Sequence, residues 1–252
     1  MATPLLALDS VTKEFGKIRA VDEVSLEIPV DEVTAVIGPN GAGKTTLFNL
    51  ITGRYELTSG QIKLRGDRIN GLEPQEIVQR GLARSFQITN FFPDLTALEN
   101  VRLAAQAQNM ELTPGALLSH HDQKSESKDA ARAVLDRLDL LDIAQEPANS
   151  LSHGQQRHLE ICIALACNPD VLVMDEPTAG MSPEETVETR ELVEDLAEDI
   201  TIVIIEHDMD VVMRVADRLA VMENGSLLTV GPPETVREDE RVQQAYLGGE
   251  TV

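Results

Sequence analysis

A glycine-rich segment that ends in Lys44 and Thr45 has the residue types and the spacing of a phosphate-binding loop. It matches the pattern G-x-x-x-x-G-K-[ST], in which glycines let backbone N–H groups turn towards phosphate oxygens. A helix that starts at the end of the loop adds its positive N-terminus. We expect Lys44 to neutralise the outer phosphates of a nucleoside triphosphate and the Thr45 hydroxyl to join a Mg²⁺ shell. The predicted phosphate-binding residues are Gly38, Pro39, Asn40, Gly41, Ala42, Gly43, Lys44, Thr45 and Thr46.

Two adjacent carboxylates, Asp175 and Glu176, follow the apolar run 171–174. On an acidic chain this alone could be an incidental strand end, but the phosphate-binding loop in the same chain supports a functional interpretation. We expect Asp175 to lie beside the Mg²⁺ ion and Glu176 to face a water near the terminal phosphate. The two motifs together predict a nucleoside triphosphatase.

Two classes of protein with such a loop are disfavoured by what the sequence lacks. A GTPase needs a guanine-reading N/T-K-x-D run, and the nearest approach, residues 12–15 (TKEF), lacks the Asp and precedes the loop. A small-molecule kinase needs an acceptor pocket and an arginine-rich lid, and neither is evident in the sequence.

Hydrophobic patterns place these motifs on strands that alternate with helices. We predict strands at residues 5–15, 18–28, 33–37, 61–69, 171–174, 201–205, 219–222 and 226–230. We predict helices at residues 45–52, 74–80, 98–104, 130–141, 152–167, 184–198 and 209–216. Asn224-Gly225 indicates a hairpin turn, and residues 106–129 are expected to form a polar loop. The order predicts a mainly parallel α/β sheet with a helical block inserted in its middle.

Composition and charge exclude several further classes of protein. The 252 residues include 43 Asp and Glu against 21 Lys and Arg, a formal charge of −22, which disfavours a nucleic-acid partner. Dense negative charge is typical of adaptation to high salt, so we expect the melting temperature to rise from low to molar KCl.

No apolar run reaches the roughly 18 residues of a spanning helix and no signal peptide is visible, so we expect a cytoplasmic chain. Cys162 and Cys167 are interpreted as core residues on a helix.

Residues 151–156 (LSHGQQ) resemble the LSGGQ signature of the ATP-binding cassette (ABC) superfamily, with His153 at the first glycine position. Phe15, 23 residues before Gly38, lies where this family has an adenine-stacking aromatic residue. The order of features is also similar to the family: the phosphate-binding loop, Gln87 after a β segment, the signature, Asp175-Glu176, and His207 after the next strand.

The resemblance implies a fold for the whole chain. Residues 1–252 would form a single ABC ATPase domain of the α/β class. Its RecA-like core would comprise about residues 1–87 and 165–252 and include an antiparallel β subdomain. An inserted α-helical subdomain would comprise about residues 88–164.

The resemblance also implies ATP and Mg²⁺ as ligands, and a role for each motif. Glu176 would polarise the attacking water, His207 would contact the γ-phosphate, and Phe15 would stack on adenine. Ser152, Gly154 and Gln155 would complete the ATP site of a second subunit in a head-to-tail homo- or heterodimer. The implied metal ligands are Thr45, Gln87 and Asp175, and Gln87 would link the metal site to the helical block.

Residues 81–87 and 91–101 look like the corresponding segments of the G-type ATPase subunits of branched-chain amino acid importers. This resemblance implies separate transmembrane permease chains, an extracellular solute-binding protein and a place at the cytoplasmic face of the membrane. It also implies that a permease helix docks in a groove at residues 88–95, which include Phe91 and Phe92.

Other members of the family remain alternatives for the function. These are a related importer of urea or short amides, an exporter of lipid-like cargo, a soluble cassette ATPase of DNA repair or translation, and a non-enzymatic regulatory cassette. A soluble cassette would need a second cassette or a long coiled-coil insertion, which the sequence lacks, and Lys44 and Glu176 oppose a non-enzymatic role. Besides His153, two further positions depart from the family pattern. Ile163 replaces an Arg that would anchor the signature helix, and Ser182 replaces the usual Asp of the D-loop.

Overall fold

Two β-sheets and the helices that pack on them make up the fold, seen in a computed structural model that describes residues 4–85, 91–108 and 120–247. Side chains are described in these ranges except at 120–124, 246 and 247, and the predicted site residue Gln87 lies outside them. The strands are β1 Leu6–Phe15, β2 Ile18–Ile28, β3 Val33–Ile37, β4 Ser59–Leu64, β5 Asp67–Arg68, β6 Leu82–Ser85, β7 Val171–Asp175, β8 Thr201–Ile205, β9 Arg218–Glu223 and β10 Ser226–Gly231. The helices are α1 Lys44–Ile51, α2 Pro74–Gln79, α3 Ala97–Gln108, α4 His120–Arg137, α5 His153–Leu165, α6 Pro183–Ala197, α7 Met209–Val215, α8 Pro233–Arg237 and α9 Glu240–Leu247.

The larger sheet has six strands in the order β10-β9-β3-β8-β7-β6. All neighbours in it are parallel except β10, which pairs antiparallel with β9 through the predicted hairpin. Every residue of β3, β7 and β8 is buried, as expected for short apolar strands covered on both faces. The carboxyl ends of these three neighbouring strands meet at one edge, where α/β sheets bind their ligands.

Alternate residues of the larger sheet supply two separate hydrophobic cores, because successive side chains of a strand point to opposite faces. On β7, Leu172 and Met174 join a core built with residues of α3 to α7. Val171 and Val173 join a second core built with β1, β2, β4 and α1. The sheet is therefore enclosed by helices on one face, and by the smaller sheet and α1 on the other.

The smaller sheet is antiparallel, in the order β2-β1-β4-β5. One strand was expected at residues 61–69, and this expectation is wrong. The chain turns back after Leu64 because Arg65 and Gly66 take left-handed backbone conformations with φ of 53° and 86°. Gly66 adopts this region without a steric cost, so the turn divides the predicted strand into β4 and β5.

The helical block between β6 and β7 contains α3, α4 and α5, whose apolar faces share one core. The predicted polar loop at 106–129 is partly wrong, since α3 continues to Gln108 and α4 already begins at His120. The early part of α4 lacks apolar residues but contains good helix formers such as Gln, Lys and Glu, so a hydrophobic pattern does not detect it. Cys162 lies fully buried on α5, where burial raises the pKa of its thiol, and Cys167 lies partly buried just beyond the helix.

The loop before α3 separates the two phenylalanines that were predicted to line a permease groove. Phe91 packs partly buried against the core, whereas the Phe92 ring is 61% exposed. The buried Asn100 side chain fixes the loop, accepting from Phe92 N–H at 2.7 Å and donating to the Phe92 carbonyl at 3.1 Å. Only Phe92 therefore remains a candidate for an exposed contact.

None of the helices within residues 4–85, 91–108 and 120–247 is both long and apolar enough to cross a lipid bilayer.

Candidate nucleotide-binding site

The phosphate-binding loop connects the end of β3 to the start of α1, in the strand–loop–helix order that its sequence pattern requires. Gly38 and Gly43 have φ values of 149° and 99°, which residues with a side chain rarely adopt. A Cβ at Gly38 would overlap the Met222 carbonyl, and one at Gly43 would overlap the Ala20 carbonyl. Only glycine fits these two positions, so the loop can pack closely on its neighbours and expose its amides.

An open cleft of about 490 Å³ lies over this loop. It brings together the loop, the residue after β7 and the second residue after β8. Its lining residues are Ile18, Arg19, Ala20, Asn40, Gly41, Ala42, Gly43, Lys44, Thr45, Thr46, Glu176, His207, Asn224 and Gly225. The sequence predicted nine of these as site residues, and the fold brings them together from three distant parts of the chain.

Lys44 is the buried cation of the cleft. Its Nζ donates to the carbonyls of Gly38 at 2.6 Å and Pro39 at 3.0 Å. Burial lowers the pKa of the Lys44 ammonium, while the nearby carboxylates of Glu176 and Asp175 act in the opposite direction. The ammonium group therefore lies between the loop carbonyls and the acidic end of β7, next to where phosphate would bind.

Glu176 and His207 both line the cleft and face each other. Glu176 Oε1 and His207 Nε2 are 2.6 Å apart, and Glu176 N–H donates to the Ile205 carbonyl at 2.9 Å. Glu176 has a φ of 49°, a left-handed conformation that costs a residue with a side chain about 1–3 kcal/mol and that clusters at functional sites. The backbone thus holds this carboxylate in a fixed place at the end of β7.

Asp175 is buried behind the cleft and is paired with a residue that the sequence analysis missed. Arg84 Nη2 donates to Asp175 Oδ2 at 2.6 Å, and Arg84 Nη1 donates to Asn49 Oδ1 on α1 at 2.7 Å. Burial lowers the pKa of the Arg84 guanidinium, which the adjacent Asp175 charge opposes. The sequence feature that could have identified Arg84 is its charge within the buried strand β6, because a buried charge requires a partner.

The oxygen donors present fit Mg²⁺. The exposed Thr45 residue lines the cleft, and the buried Asp175 carboxylate lies at the end of β7. No group of three or more His, Cys, Asp or Glu that could hold a metal occurs in the part of the chain that the structure describes. Mg²⁺ does not need such a cage, since it is usually bound by one or two carboxylates, water and substrate phosphates.

The signature residues lie at the N-terminus of α5, outside the lining of the cleft. Ser152 caps the helix, with its Oγ accepting from Gln155 N–H at 3.2 Å, and Gln155 Oε1 accepts from Ser152 N–H at 2.9 Å. The Glu185 carboxylate lies beside Gly154, and hydrogen bonds from Ser182 N–H and then from the Gly154 backbone help to lower the pKa of Glu185.

Phe15 lies at the end of β1 with its side chain half exposed. Its ring meets Tyr55 edge to face at 5.4 Å, and Lys13 Nζ lies 5.0 Å from its centre. It does not line the cleft, but its strand partner Ile18 does. Tyr55 and Lys13 were not among the predicted site residues.

The two departures from the family pattern have local explanations. Ile163 packs partly buried against the core, and α5 is anchored instead by Arg157, which donates to the backbone carbonyls of Asp175 and Glu176. Ser182 caps α6, with its Oγ accepting from Glu185 N–H at 3.2 Å and its N–H donating to Glu185 Oε2 at 2.9 Å. The D-loop serine therefore stabilises the start of α6.

Comparisons with known proteins agree with this geometry. The family model described as "ABC transporter" matches residues 21–179, and "Branched-chain amino acid ATP-binding cassette transporter" matches residues 226–252. The high-affinity branched-chain amino acid transport ATP-binding protein LivG of Escherichia coli K12 is 42% identical, over 98% of this chain and 99% of that protein.

Two solved structures give the same result for the fold. The ADP conformation of MJ1267, an ATP-binding cassette of an ABC transporter, superposes with a TM-score of 0.85 at 33% identity, over 98% of this chain and 100% of that one. The dimeric post-hydrolysis cassette MJ0796, bound to ADP and Pi, gives a TM-score of 0.76 at 28% identity, over 90% and 98% of the two chains. The chain belongs to the ABC transporter family, as one of its ATP-binding, ATP-hydrolysing subunits.

Proposed function

We propose that this ATPase energises the import of branched-chain amino acids. The observation that carries the proposal is similarity to LivG over nearly the full length of both chains, together with the family match at residues 226–252. The C-terminal match supports this branch of the family specifically, because it lies beyond the part shared with ABC transporters in general, residues 21–179.

In the proposed reaction, a water attacks the γ-phosphate of ATP in line with the leaving group. The loop amides and Lys44 bind the phosphates and stabilise the charge that develops on them. Glu176 polarises the attacking water, and His207, held 2.6 Å from that carboxylate, contacts the γ-phosphate. Thr45, Asp175 and Gln87 would hold Mg²⁺, whose charge neutralises the phosphate oxygens when it is bound.

We propose that a second ATPase subunit completes each site. Ser152, Gly154 and Gln155 would face the ATP of that subunit, since bare amides and a hydroxyl at a helix N-terminus favour an anion. Two observations support this: these residues do not line the chain's own cleft, and the similar cassette MJ0796 is dimeric. The energy of ATP binding closes the dimer, and hydrolysis opens it again.

Mixing two inactive variants tests this arrangement. Lys44→Met removes the phosphate-binding charge, whereas Ser152→Asp keeps a good helix cap but places a carboxylate where the partner's γ-phosphate would bind. In a two-fold dimer, a mixed pair has one site with both lesions and one with none, so a 1:1 mixture should regain up to about a quarter of the wild-type rate. The ATPase rates of each variant alone and of the mixture are compared at equal total protein. A mixture no more active than its components would contradict a shared site.

The division of the chain follows from the same proposal. Residues of about 1–87 and 165–252 would form the ATP-binding core with its antiparallel β subdomain, and residues of about 88–164 the helical subdomain. The chain would sit at the cytoplasmic face of the membrane and bind transmembrane permease chains, which in turn receive solute from an extracellular binding protein. We place the permease contact at the loop before α3, which presents Phe92 and Leu95 with exposed fractions of 61% and 36%.

Phe92→Ala/Leu95→Ala should weaken co-purification with the permeases, because a buried aromatic anchor at an interface contributes about 2 kcal/mol or more. ATP affinity of the isolated chain should not change, since neither side chain lines the cleft. Val30→Ala is the control, because Val30 is 49% exposed but lies before β3, at the opposite end of that strand from the phosphate-binding loop. Normal assembly of the double variant would exclude this contact.

A further inference from the structure

The side chain of Arg157, on α5, reaches the backbone at the end of β7 and in the segment that follows it. Its Nη2 donates to the Asp175 carbonyl at 2.8 Å and to the Glu176 carbonyl at 2.7 Å. Its Nε lies 3.4 Å from the Pro177 carbonyl. Three successive carbonyls thus face one guanidinium group, although 18 to 20 residues separate them from it in the sequence.

This guanidinium is held in place from the other side. Arg157 Nη1 pairs with Glu160 Oε2 at 3.0 Å, one turn further along α5, and the two side chains are only 11% and 6% exposed. A planar guanidinium offers its donors in a rigid fork, so the ion pair with Glu160 fixes the direction of the other N–H groups. The arrangement is therefore pre-organised and shielded from water.

The peptides that Arg157 binds flank the strained residue Glu176. With a φ of 49°, Glu176 persists in this conformation only where its surroundings fix it. Its N–H is held by the Ile205 carbonyl at 2.9 Å, and the carbonyls on both sides of its Cα are held by Arg157. The direction of the Glu176 side chain depends on these bonds, since the backbone sets where its Cβ points.

We propose that Arg157 is a positioning residue for Glu176, which fixes the carboxylate that polarises the attacking water. The proposal rests on the proposed role of Glu176. Arg157 does not line the cleft, so it acts through the backbone and contributes nothing directly to ATP binding. Arg157 lies on α5, whose N-cap is Ser152. One helix therefore both presents Ser152 to the partner's ATP and holds Glu176 in place.

Removing the charge of Arg157 and of its partner together tests this role. The variant Arg157→Gln/Glu160→Gln avoids leaving a buried unpaired carboxylate, which would destabilise the fold by itself. We expect kcat to fall about 10–100-fold, the effect of a misplaced catalytic group, while KM and the affinity for ATP stay within about twofold. Arg157→Lys keeps the charge but loses the fork, so its kcat should lie between those of this variant and the wild type.

The matched control is Arg102→Gln. Arg102 is 10% exposed and also pairs with a Glu three residues away, Glu99, but its bonds to the residues that the structure describes stay within α3. Its kcat should remain within about twofold of the wild type, because nothing it binds leads to Glu176. All rates are measured at a temperature at which thermal melts show every variant to be folded.

The same change made in a chain that already has Glu176→Gln distinguishes a positioning role of Arg157 from an effect on general stability. If Arg157 acts through the Glu176 carboxylate, then in a Glu176→Gln chain the added Arg157→Gln/Glu160→Gln change should lower residual hydrolysis less than about threefold. The fall in melting temperature should be the same in both backgrounds. An equal loss of rate with and without Glu176, or a normal kcat with only a lower melting temperature, would overturn the proposal. Failure of the proposed role of Glu176 would instead show as a Glu176→Gln chain that keeps the wild-type rate of hydrolysis.

Discussion

A Glu176→Gln variant should bind ATP normally and lose its hydrolysis rate by about 10²–10⁴-fold, the usual loss for a positioned base. The amide keeps the shape of the side chain but cannot accept the proton of the attacking water. Because the variant binds ATP without turning it over, it should accumulate as an ATP-bound dimer. Steady-state ATPase assays and light scattering after size exclusion with ATP measure the two effects.

Glu223→Gln is the matched control for this prediction. Glu223 ends β9 next to Asn224, which lines the cleft, but its own side chain does not line it. Its removal should leave at least about half of the wild-type rate, since a rim carboxylate contributes only to the general field. If the Glu176→Gln variant keeps more than about a tenth of the wild-type rate, Glu176 is not the base.

Arg84→Met should be the most destabilising single change in the site. The Arg84–Asp175 pair is buried, with side chains 6% and 2% exposed, and removing one partner leaves an uncompensated charge. Breaking such a pair costs about 3–5 kcal/mol, which for a chain of this size lowers the melting temperature by roughly 6–20 °C. Differential scanning calorimetry measures the shift directly.

Arg241→Met is the matched control for burial. Arg241 and Asp239 have the same 2.6 Å separation as Arg84 and Asp175, but their side chains are 61% and 19% exposed. Solvent screens such a pair, so its loss should shift the melting temperature far less. The double variant Arg84→Met/Asp175→Asn should recover part of the loss, because it removes the buried charge. Equal shifts for Arg84→Met and Arg241→Met would show that the buried pair has no special role.

The sequence predicts the central strands β3, β7 and β8 of the larger sheet well because burial on both faces leaves a clear pattern. Residues 33–37, 171–174 and 201–205 are short runs of apolar and β-branched residues, and the motifs follow within two residues of these runs. The parallel sheet then places Lys44, Glu176 and His207 at one edge. The spacing of the motifs and the position of each strand along the chain can both be seen in the sequence, so these parts of the site can be predicted from it.

Long-range pairs could not be predicted in the same way. Arg84 meets Asp175 across 91 residues, and Arg157 meets backbone carbonyls that any residue could supply. Nothing in the sequence near Arg157 shows that its side chain turns towards β7 rather than towards solvent. Likewise, Phe91 and Phe92 are adjacent residues of the same type, so the sequence does not show which ring is buried. The structure does, since the side chain of Asn100 holds the backbone of Phe92 and leaves its ring exposed.

The most direct test of the proposed function is the response of the assembled transporter to its solute. The chain is purified with its permease chains, placed in lipid vesicles with ATP, and supplied with the binding protein of the same system. Leucine, isoleucine and valine should each raise the ATPase rate and be taken up, whereas urea and short amides should do neither. The Lys44→Met chain should abolish both effects. Stimulation and uptake by urea or a short amide, with no response to the three branched-chain amino acids, would contradict the account.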